Sequence, residues 1–496
     1  MITTLIQYGA LMLLQFLLVP IVLKLAGQEV LGVYSFLLQI TGWAALTDLG
    51  FGVSTSRNLA QAHGNDDHHA EFAKVFTTGR TFFLMSNVIF SLIIFIVGWQ
   101  IERFISLSPS LVMQAQISLY LLAIWSIAKT PLTLFGEGLI ATQNIAAYNI
   151  INTLSSFIRL GLSLVLILVG SGLIGLLSAY IIAEMITLYL QKAQYFKLFP
   201  EDQFLWGIPD EKLFKKMFAF GITFMAMSVA GKLSTSSDSI ILGNTLGASA
   251  VAIYYVSQMP GTFLYQVIWK VVDNSAPALN ELYHKKRTIQ FYEAYMKIFR
   301  YSLLLTVPLS LGLIGFNRSF IGFWAGSDQY AGIVFTFALA FYTITQVVIH
   351  LNAIIFVALG NIKVISILTM SLSIIKVFLS YFFITKLGLK GMMITNALID
   401  LPILFTFQYL ANKNLNISVN RLFINVIIPV LKANILVVIF VYGLQIFETN
   451  INLYTFIFEV IAFTIITILG IFIFGIKKEE RSYLNSLVLF FYKKVM

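Results

Sequence analysis

The sequence predicts an all-α protein that crosses a membrane many times. Hydrophobic residues make up 58% of the 496 residues, charged residues make up 11%, and the mean hydropathy is +0.87. A soluble domain of this size does not carry so much apolar surface. The apolar residues also fall into long stretches, and a helix needs about 20 of them to cross the hydrocarbon core.

We predict about 14 transmembrane helices from these stretches. The chain has no cysteine, which excludes a disulfide framework and thiolate ligands. The predicted spans lie near residues 5–25, 30–56, 80–99, 111–135, 146–169, 172–195, 214–242, 247–273, 298–317, 330–359, 363–386, 389–410, 420–446 and 452–476.

The first twelve spans form two copies of one six-span pattern. Residues 26–34 resemble residues 246–254, and residues 141–145 resemble residues 358–362, at a spacing of about 220. Six spans are an even number, so both copies insert with the same orientation, as parallel repeats about an axis along the membrane normal. The predicted parts are an N-terminal six-helix lobe at 1–200, a C-terminal six-helix lobe at 201–412, two additional helices at 413–476 and a basic tail at 477–496.

The basic residues predict the orientation of the chain. Most of the 32 lysines and arginines fall in the even-numbered loops and the C-terminal tail. By the positive-inside rule, these loops and both termini are cytoplasmic. We therefore expect a multi-pass protein of the cell (inner or cytoplasmic) membrane. The net charge of +10 is a topology signal, and it does not indicate nucleic-acid binding.

Charged residues inside spans are costly and are usually paired or functional. Arg159 and Glu184 lie at similar depths on the two sides of the turn between spans five and six. Lys376 and Asp400 repeat that arrangement in the second copy. We interpret each pair as a structural salt bridge, with coupling of the carboxylates to an ion as the alternative.

Further polar residues indicate a polar cavity between the repeats, with a surplus of positive charge. Lys270 and Asp273 are three residues apart on span eight, so we expect them to touch. Both copies carry a polar i, i+4 stripe, which ends at His350 in the second. The candidate substrate-binding residues are Arg57, Lys232, Lys270 and Lys129. The candidate cleft or ion-coupling residues are Asp48, Asp238, Asp273 and His350.

A cationic cavity implies an anionic substrate, and phosphate fits because arginine and lysine bind it through charge-assisted hydrogen bonds. The sequence contains no Walker A motif, and no His or carboxylate cluster has metal-ligand spacing. We therefore expect neither an enzyme nor a cofactor or metal. Transport would draw on a proton or sodium gradient.

The chain resembles the polysaccharide-export branch of the multidrug/oligosaccharidyl-lipid/polysaccharide exporter superfamily, which includes O-antigen flippases. The resemblance rests on the opening segment Leu25–Tyr34, on Thr47–Gly52 running through Arg57–Ala60, and on the joint at Ala141–Asn144. The twelve-span duplication covers residues 1–412.

The resemblance implies two lobes forming a V, with alternating access through a cleft lined by spans one, two, seven and eight. It also implies that a polyprenyl-diphosphate-linked oligosaccharide moves from the cytoplasmic to the outer leaflet, for O-antigen, capsule or exopolysaccharide synthesis. Membrane lipids, a glycan polymerase and glycosyltransferases of the same pathway would be partners. The alternatives are a multidrug/cation antiporter of the same fold, which needs a carboxylate-rich cleft, and a membrane-embedded glycan polymerase or ligase, which needs large outer loops.

Overall fold

The structure is a computed structural model that describes residues 2–43, 51–63, 68–204, 208–358, 362–415, 418–446, 452–477 and 480. Nearly all of these residues are helical, as the apolar periodicity predicts. Eleven helices within them are long and apolar enough to cross a membrane. The all-α, multi-span fold class is therefore confirmed.

Three predicted spans are not among these eleven. The predicted span 30–56 is described as two helices, on either side of residues 44–50. The predicted span 214–242 is divided between two helices that meet at Ser236. The predicted span 247–273 is one continuous helix, and its mean hydropathy is lower than that of the eleven apolar helices. These are spans two, seven and eight.

The chain packs as two compact units. The first comprises Met1–Tyr255 with Thr369–Met392, and the second comprises Val256–Leu368 with Met393–Met496. These units are defined by which residues pack together, whereas the predicted lobes are defined by the sequence repeat. The predicted lobe boundaries at 1–200 and 201–412 therefore stay a prediction.

Within the described residues, the first unit contains ten helices before residue 247, part of α11 and most of α15. The helices up to the turn at residue 247 are α1 (Ile2–Leu25), α2 (Gln28–Gly42), α3 (Phe51–His63), α4 (His68–Trp99), α5 (Pro109–Ala128), α6 (Thr130–Ala141), α7 (Ile145–Leu168), α8 (Gly172–Leu198), α9 (Glu211–Thr235) and α10 (Ser237–Leu246).

The second unit contains the remainder of α11, then α12 to α14, most of α16 and the last helices. Their bounds are α11 (Ala248–Asp273), α12 (Ala276–His284), α13 (Thr288–Trp324), α14 (Ile333–Ala358), α15 (Ile362–Leu387), α16 (Leu389–Asn414), α17 (Val419–Leu422), α18 (Ile428–Ile446) and α19 (Leu453–Gly470). Phe316 of α13 packs with Val437 and Val441 of α18 and with Phe463 of α19, so the two additional predicted helices have a core against α13.

The turn between α1 and α2 has the same backbone conformation as the turn between α10 and α11. Gly27 has φ 91° and ψ 166°, and Gly247 has φ 85° and ψ 176°. Residues with a side chain rarely adopt a positive φ of this kind, so glycine is required at both turns. The two glycines occupy equivalent places in the sequence repeat, and the duplication therefore extends to the backbone.

The described residues between α8 and α9 are held by polar contacts to α8, α9 and α4. Tyr195 donates a hydrogen bond to Asp202 (2.7 Å), and the Asp210 carboxylate caps α9 at the Leu213 N–H (2.6 Å). Lys74 forms a salt bridge with Asp210 (2.6 Å). The hydrogen bonds from Lys74 and from the Leu213 backbone hold the pKa of the Asp210 carboxyl below its usual value.

Candidate functional site

The first unit contains a polar cavity of about 170 Å³ between α1, α7 and α8. We call it the Arg159 cavity. Its polar lining includes Gln7 of α1, Asn152 and Arg159 of α7, and Tyr180 and Glu184 of α8. Opposite charges share this cavity, so the partners of each charge decide which ligand it suits.

Arg159 is held by two tyrosines. Its guanidinium donates a hydrogen bond to the Tyr34 hydroxyl (2.5 Å) and lies 4.9 Å from the centre of the Tyr180 ring. Among the described residues, no carboxylate lies within salt-bridge distance of Arg159, and its Nε has no hydrogen-bond partner. Arg159 is therefore a cation that contacts aromatic rings and a hydroxyl instead of a carboxylate.

The predicted salt bridge between Arg159 and Glu184 is wrong. Glu184 instead forms a salt bridge with Lys129 (2.9 Å) and accepts a hydrogen bond from the Trp125 indole (2.6 Å). The matched depth of the two residues is real, because both line the same cavity. Depth does not fix direction around the helix axis, however, and α5 and α6 meet at Lys129, which brings its ammonium to the carboxylate.

A second buried cluster in the first unit joins α10 to α15. Lys376 forms a salt bridge with Asp238 (2.8 Å), and both side chains are almost fully buried, at 2% and 5% exposed. The Tyr254 hydroxyl donates a hydrogen bond to the same carboxylate (2.7 Å). The sequence did not assign Asp238 to Lys376, because nothing in the sequence brings span seven beside span eleven.

Asp400 lies in the second unit, where it accepts hydrogen bonds from Thr345 (2.5 Å) and Gln346 (2.9 Å) of α14. The pairing of Lys376 with Asp400 stays a prediction.

The second unit holds a three-membered cluster at the end of α11. Lys270 lies 3.1 Å from Asp273, as their spacing predicts, and that contact is confirmed. The other oxygen of Asp273 lies 2.7 Å from Nε2 of His350, and Trp269 stacks on the His350 ring at 4.4 Å. The polar stripe on α14 therefore meets the charged end of α11.

Two further candidates, Arg57 and Lys232, lie on other helices. Arg57 lies on α3 with its side chain exposed, and Lys232 lies near the end of α9, where its ammonium would be 3.1 Å from a Cβ placed on Gly42. Asp48 lies outside the described residues. Of the four cations expected to bind substrate, Lys129 and Lys270 have carboxylate partners in this structure. The role of all four stays a prediction.

Sequence reasoning missed the aromatic partners of these charges. Tyr34, Tyr180 and Trp269 each sit against a charged or titratable side chain. Tyrosine and tryptophan are also common at membrane interfaces, and composition alone cannot separate the two roles. The signal that could have identified Tyr180 is its i, i+4 spacing from Glu184.

Long apolar helices that enclose isolated polar clusters define a multi-pass membrane protein of the transporter type. Residues 1–282 match the family model described as "Polysaccharide biosynthesis protein", which covers more than half of the chain. The chain therefore belongs to this polysaccharide biosynthesis protein family.

Two bacterial protein sequences are similar to this chain. A putative O-antigen transporter of Shigella flexneri is 23% identical over 373 residues, which cover 74% of this chain and 85% of that protein. The teichuronic acid biosynthesis protein TuaB of Bacillus subtilis (strain 168) is 22% identical over 184 residues, 37% of this chain and 38% of that protein.

Solved structures show the same fold. The lipid II flippase MurJ in an inward closed conformation has a TM-score of 0.70 at 12% identity, over 95% of this chain and 97% of that one. An inward-facing MATE-family multidrug resistance transporter of the MOP superfamily has a TM-score of 0.67 at 16% identity, over 84% and 99%. The chain therefore has the fold of these transporters.

Proposed function

We propose that this protein is a flippase that moves a polyprenyl-diphosphate-linked oligosaccharide from the cytoplasmic to the outer leaflet for surface polysaccharide synthesis. The observation that carries the proposal is the similarity to the O-antigen transporter, which extends over 74% of this chain. Membership of the polysaccharide biosynthesis family and the MurJ-like fold support it.

The charges of the three clusters described above favour this function over a multidrug/cation antiporter. A site for a cationic drug requires an available carboxylate. Here Glu184, Asp238 and Asp273 each have a basic partner within about 3 Å. The Arg159 cavity instead retains a cation without a carboxylate partner, which favours an anionic substrate.

The protein would act by moving the lipid rather than by covalent chemistry. The diphosphate would contact basic side chains, and the polyprenyl tail would remain in the hydrocarbon. Arg57, Lys232 and Lys270 are the proposed diphosphate contacts outside the Arg159 cavity. The Lys270–Asp273–His350 cluster is the proposed place for coupling to a proton or sodium gradient. Glycosyltransferases would supply the substrate, and a glycan polymerase would consume it.

Translocation in reconstituted vesicles tests the function directly. Purified protein is placed in proteoliposomes with a fluorescent polyprenyl-diphosphate saccharide, and a membrane-impermeant quencher reports the leaflet of the dye. We expect the protein to make the inner-leaflet dye accessible. The alternative predicts no translocation of this lipid together with efflux of a cationic dye driven by an ion gradient.

Cells that lack their own flippase provide the second test. The wild-type chain should restore surface glycan in a strain that assembles a compatible lipid-linked oligosaccharide. Neutralising Arg57 and Lys232 together as Arg57→Gln/Lys232→Gln should lower export, because the Coulombic attraction to the diphosphate is lost. Lys197→Gln, a change at an exposed cation near the end of α8, is the control and should export normally.

A further inference from the structure

We propose that Arg159 forms a subsite that binds one phosphate group of the lipid-linked substrate. This inference rests on the proposed function, which it extends by assigning the diphosphate to a particular place in the first unit. The sequence had placed Arg159 in a structural salt bridge, and the structure shows no such bridge.

The charges of the Arg159 cavity leave one positive charge unbalanced. The Glu184 carboxylate has Lys129 on one oxygen and the Trp125 indole on the other. That pair is neutral as a unit. Arg159 lines the same space, and among the described residues it has no acidic partner. The lining therefore contains one cation and one carboxylate, and the carboxylate is neutralised by Lys129 from outside the lining, so that the group as a whole has a net positive charge.

The guanidinium also has donors to spare. Arginine carries five N–H groups in a planar fork, which matches the oxygens of a phosphate. In the described part of the chain, the hydrogen bond of Arg159 goes to the Tyr34 hydroxyl, and the buried Nε–H has no partner. A buried donor without a partner is costly. The terminal N–H groups of the fork that Tyr34 does not use are the ones that could donate to phosphate oxygens.

In the second repeat, the cation at the equivalent place has an acidic partner. Lys376 occupies the position equivalent to Arg159, and its ammonium is sealed against Asp238 at 2% exposed. Asp238 belongs to span seven, the counterpart of span one. The corresponding helix α1 contains no acidic residue in its whole length, Ile2–Leu25. The first repeat therefore has a cation, Arg159, without an acidic residue on the corresponding helix, and a cavity lies beside that cation.

The size of the cavity limits what it can hold. Pockets for drug-sized ligands begin at about 300 Å³, and this cavity measures about 170 Å³. It suits one compact anionic group, such as a phosphate, rather than an oligosaccharide. Asn152 on the same wall donates one amide N–H to the Tyr148 carbonyl and could offer its second N–H to the anion. The guanidinium lies over the face of the Tyr180 ring, and this contact restricts its orientation.

Binding to the purified full-length protein in detergent tests the subsite. The probes are farnesyl diphosphate and farnesol, which differ only in the diphosphate, and affinity is read from intrinsic tryptophan fluorescence. We expect tighter binding of farnesyl diphosphate than of farnesol by the wild type. Arg159→Gln should weaken farnesyl diphosphate binding about 10- to 100-fold, the loss of a charge-assisted hydrogen bond, and leave farnesol unchanged.

Two variants control this measurement. Arg159→Lys keeps the charge and loses the fork, so its affinity should lie between the wild type and Arg159→Gln. It also carries the test if Arg159→Gln does not fold, which gel filtration and thermal unfolding would reveal. Lys197→Gln removes an exposed cation from α8 and should bind as the wild type does.

The outcomes separate the subsite from the proposed function. Equal affinity of the wild type and both Arg159 variants for farnesyl diphosphate overturns the subsite and leaves the flippase proposal standing. Equal affinity of the wild type for farnesyl diphosphate and farnesol counts against diphosphate recognition itself. Competition with phosphatidylglycerol tests whether the subsite binds ordinary lipid headgroups. If phosphatidylglycerol displaces farnesyl diphosphate at equal concentration from the wild type, Arg159 binds ordinary lipid headgroups, and the assignment to the transported lipid is overturned.

Discussion

Nζ of Lys129 lies 2.9 Å from Oε1 of Glu184, which joins the α5–α6 boundary to α8. The second repeat has the same link at the equivalent place, where Nε2 of Gln346 lies 2.9 Å from Oδ2 of Asp400. One link is a salt bridge, and the other is an amide–carboxylate hydrogen bond. The geometry of the duplicated helices was retained while the charge of the donor changed.

This relationship predicts unequal effects for the two partners. Lys129→Gln keeps a hydrogen bond to the carboxylate, like the donor of the second repeat, but removes the counter-charge of Glu184, so it should lower the free energy of unfolding by about 1 kcal/mol. Glu184→Gln leaves the half-buried ammonium of Lys129 without its counter-charge and should cost about 1–3 kcal/mol. Chemical denaturation in detergent measures both. The double variant should be more stable than Glu184→Gln alone; a cost equal to the sum of the single changes would show that the two residues do not interact.

The buried pair of Lys376 and Asp238 predicts a larger effect. Asp238→Asn should lower the free energy of unfolding by about 3–5 kcal/mol, because it leaves a buried cation without this counter-charge. Adding Lys376→Met should recover most of the loss, since methionine fills a similar volume without charge. Tyr254→Phe is the matched control, because it removes one hydrogen bond from the same carboxylate and should cost about 1 kcal/mol. A double variant no more stable than Asp238→Asn would contradict this account.

The sequence predicted those features that depend on local pattern. The helical spans follow from apolar length, the contact between Lys270 and Asp273 follows from their i, i+3 spacing, and the duplication follows from segments such as those around Gly27 and Gly247. Each needs only neighbours along the chain or a repeated motif. The backbone at the two glycines shows how far this extends, since both turns have nearly the same φ and ψ.

Partners across helices could not be predicted in the same way. Depth along a hairpin placed Arg159 and Glu184 at one level correctly. The direction of each side chain around its helix, and the presence of Lys129 from a third helix, decided the bond. The pairing of Lys376 with Asp238 is more distant still, because it joins spans seven and eleven. A single sequence contains no signal for which spans are neighbours.

The orientation of the chain predicts a labelling pattern. If the segment after α8 is cytoplasmic, a cysteine at Glu201 should resist a membrane-impermeant maleimide in intact cells. A cysteine at Ser110 should react, since the opposite end of the bundle faces outward. Both positions are exposed, and the chain has no native cysteine to react in the background. Permeabilised cells, in which both should react, control for accessibility. The reverse pattern in intact cells would show that the orientation is inverted.

Gly32 allows α2 to approach the start of α11 more closely than any side chain permits. A Cβ at this position would lie 1.8 Å from the carbonyl oxygen of Ala248. Beside it, the Gln28 amide donates to the Ser249 carbonyl (3.1 Å), and the Ser108 N–H donates to Glu29 (2.5 Å). The first turn of α2 is therefore in direct contact with the start of α11 and with Ser108.

Gly32→Ala should separate α2 from α11 at this end, because the methyl group cannot occupy the space of a carbonyl oxygen. The separation is measured with cysteines at Gln28 and Ser249 and a short bifunctional thiol reagent. We expect efficient crosslinking with Gly32 in place and a severalfold loss with Gly32→Ala. Gly161→Ala is the control, since a Cβ there meets nothing within 4 Å, and its crosslinking should match the parent. Undiminished crosslinking in Gly32→Ala would show that the two helices do not require this contact. If transport depends on opening and closing here, Gly32→Ala should also lower glycan export while Gly161→Ala leaves it unchanged.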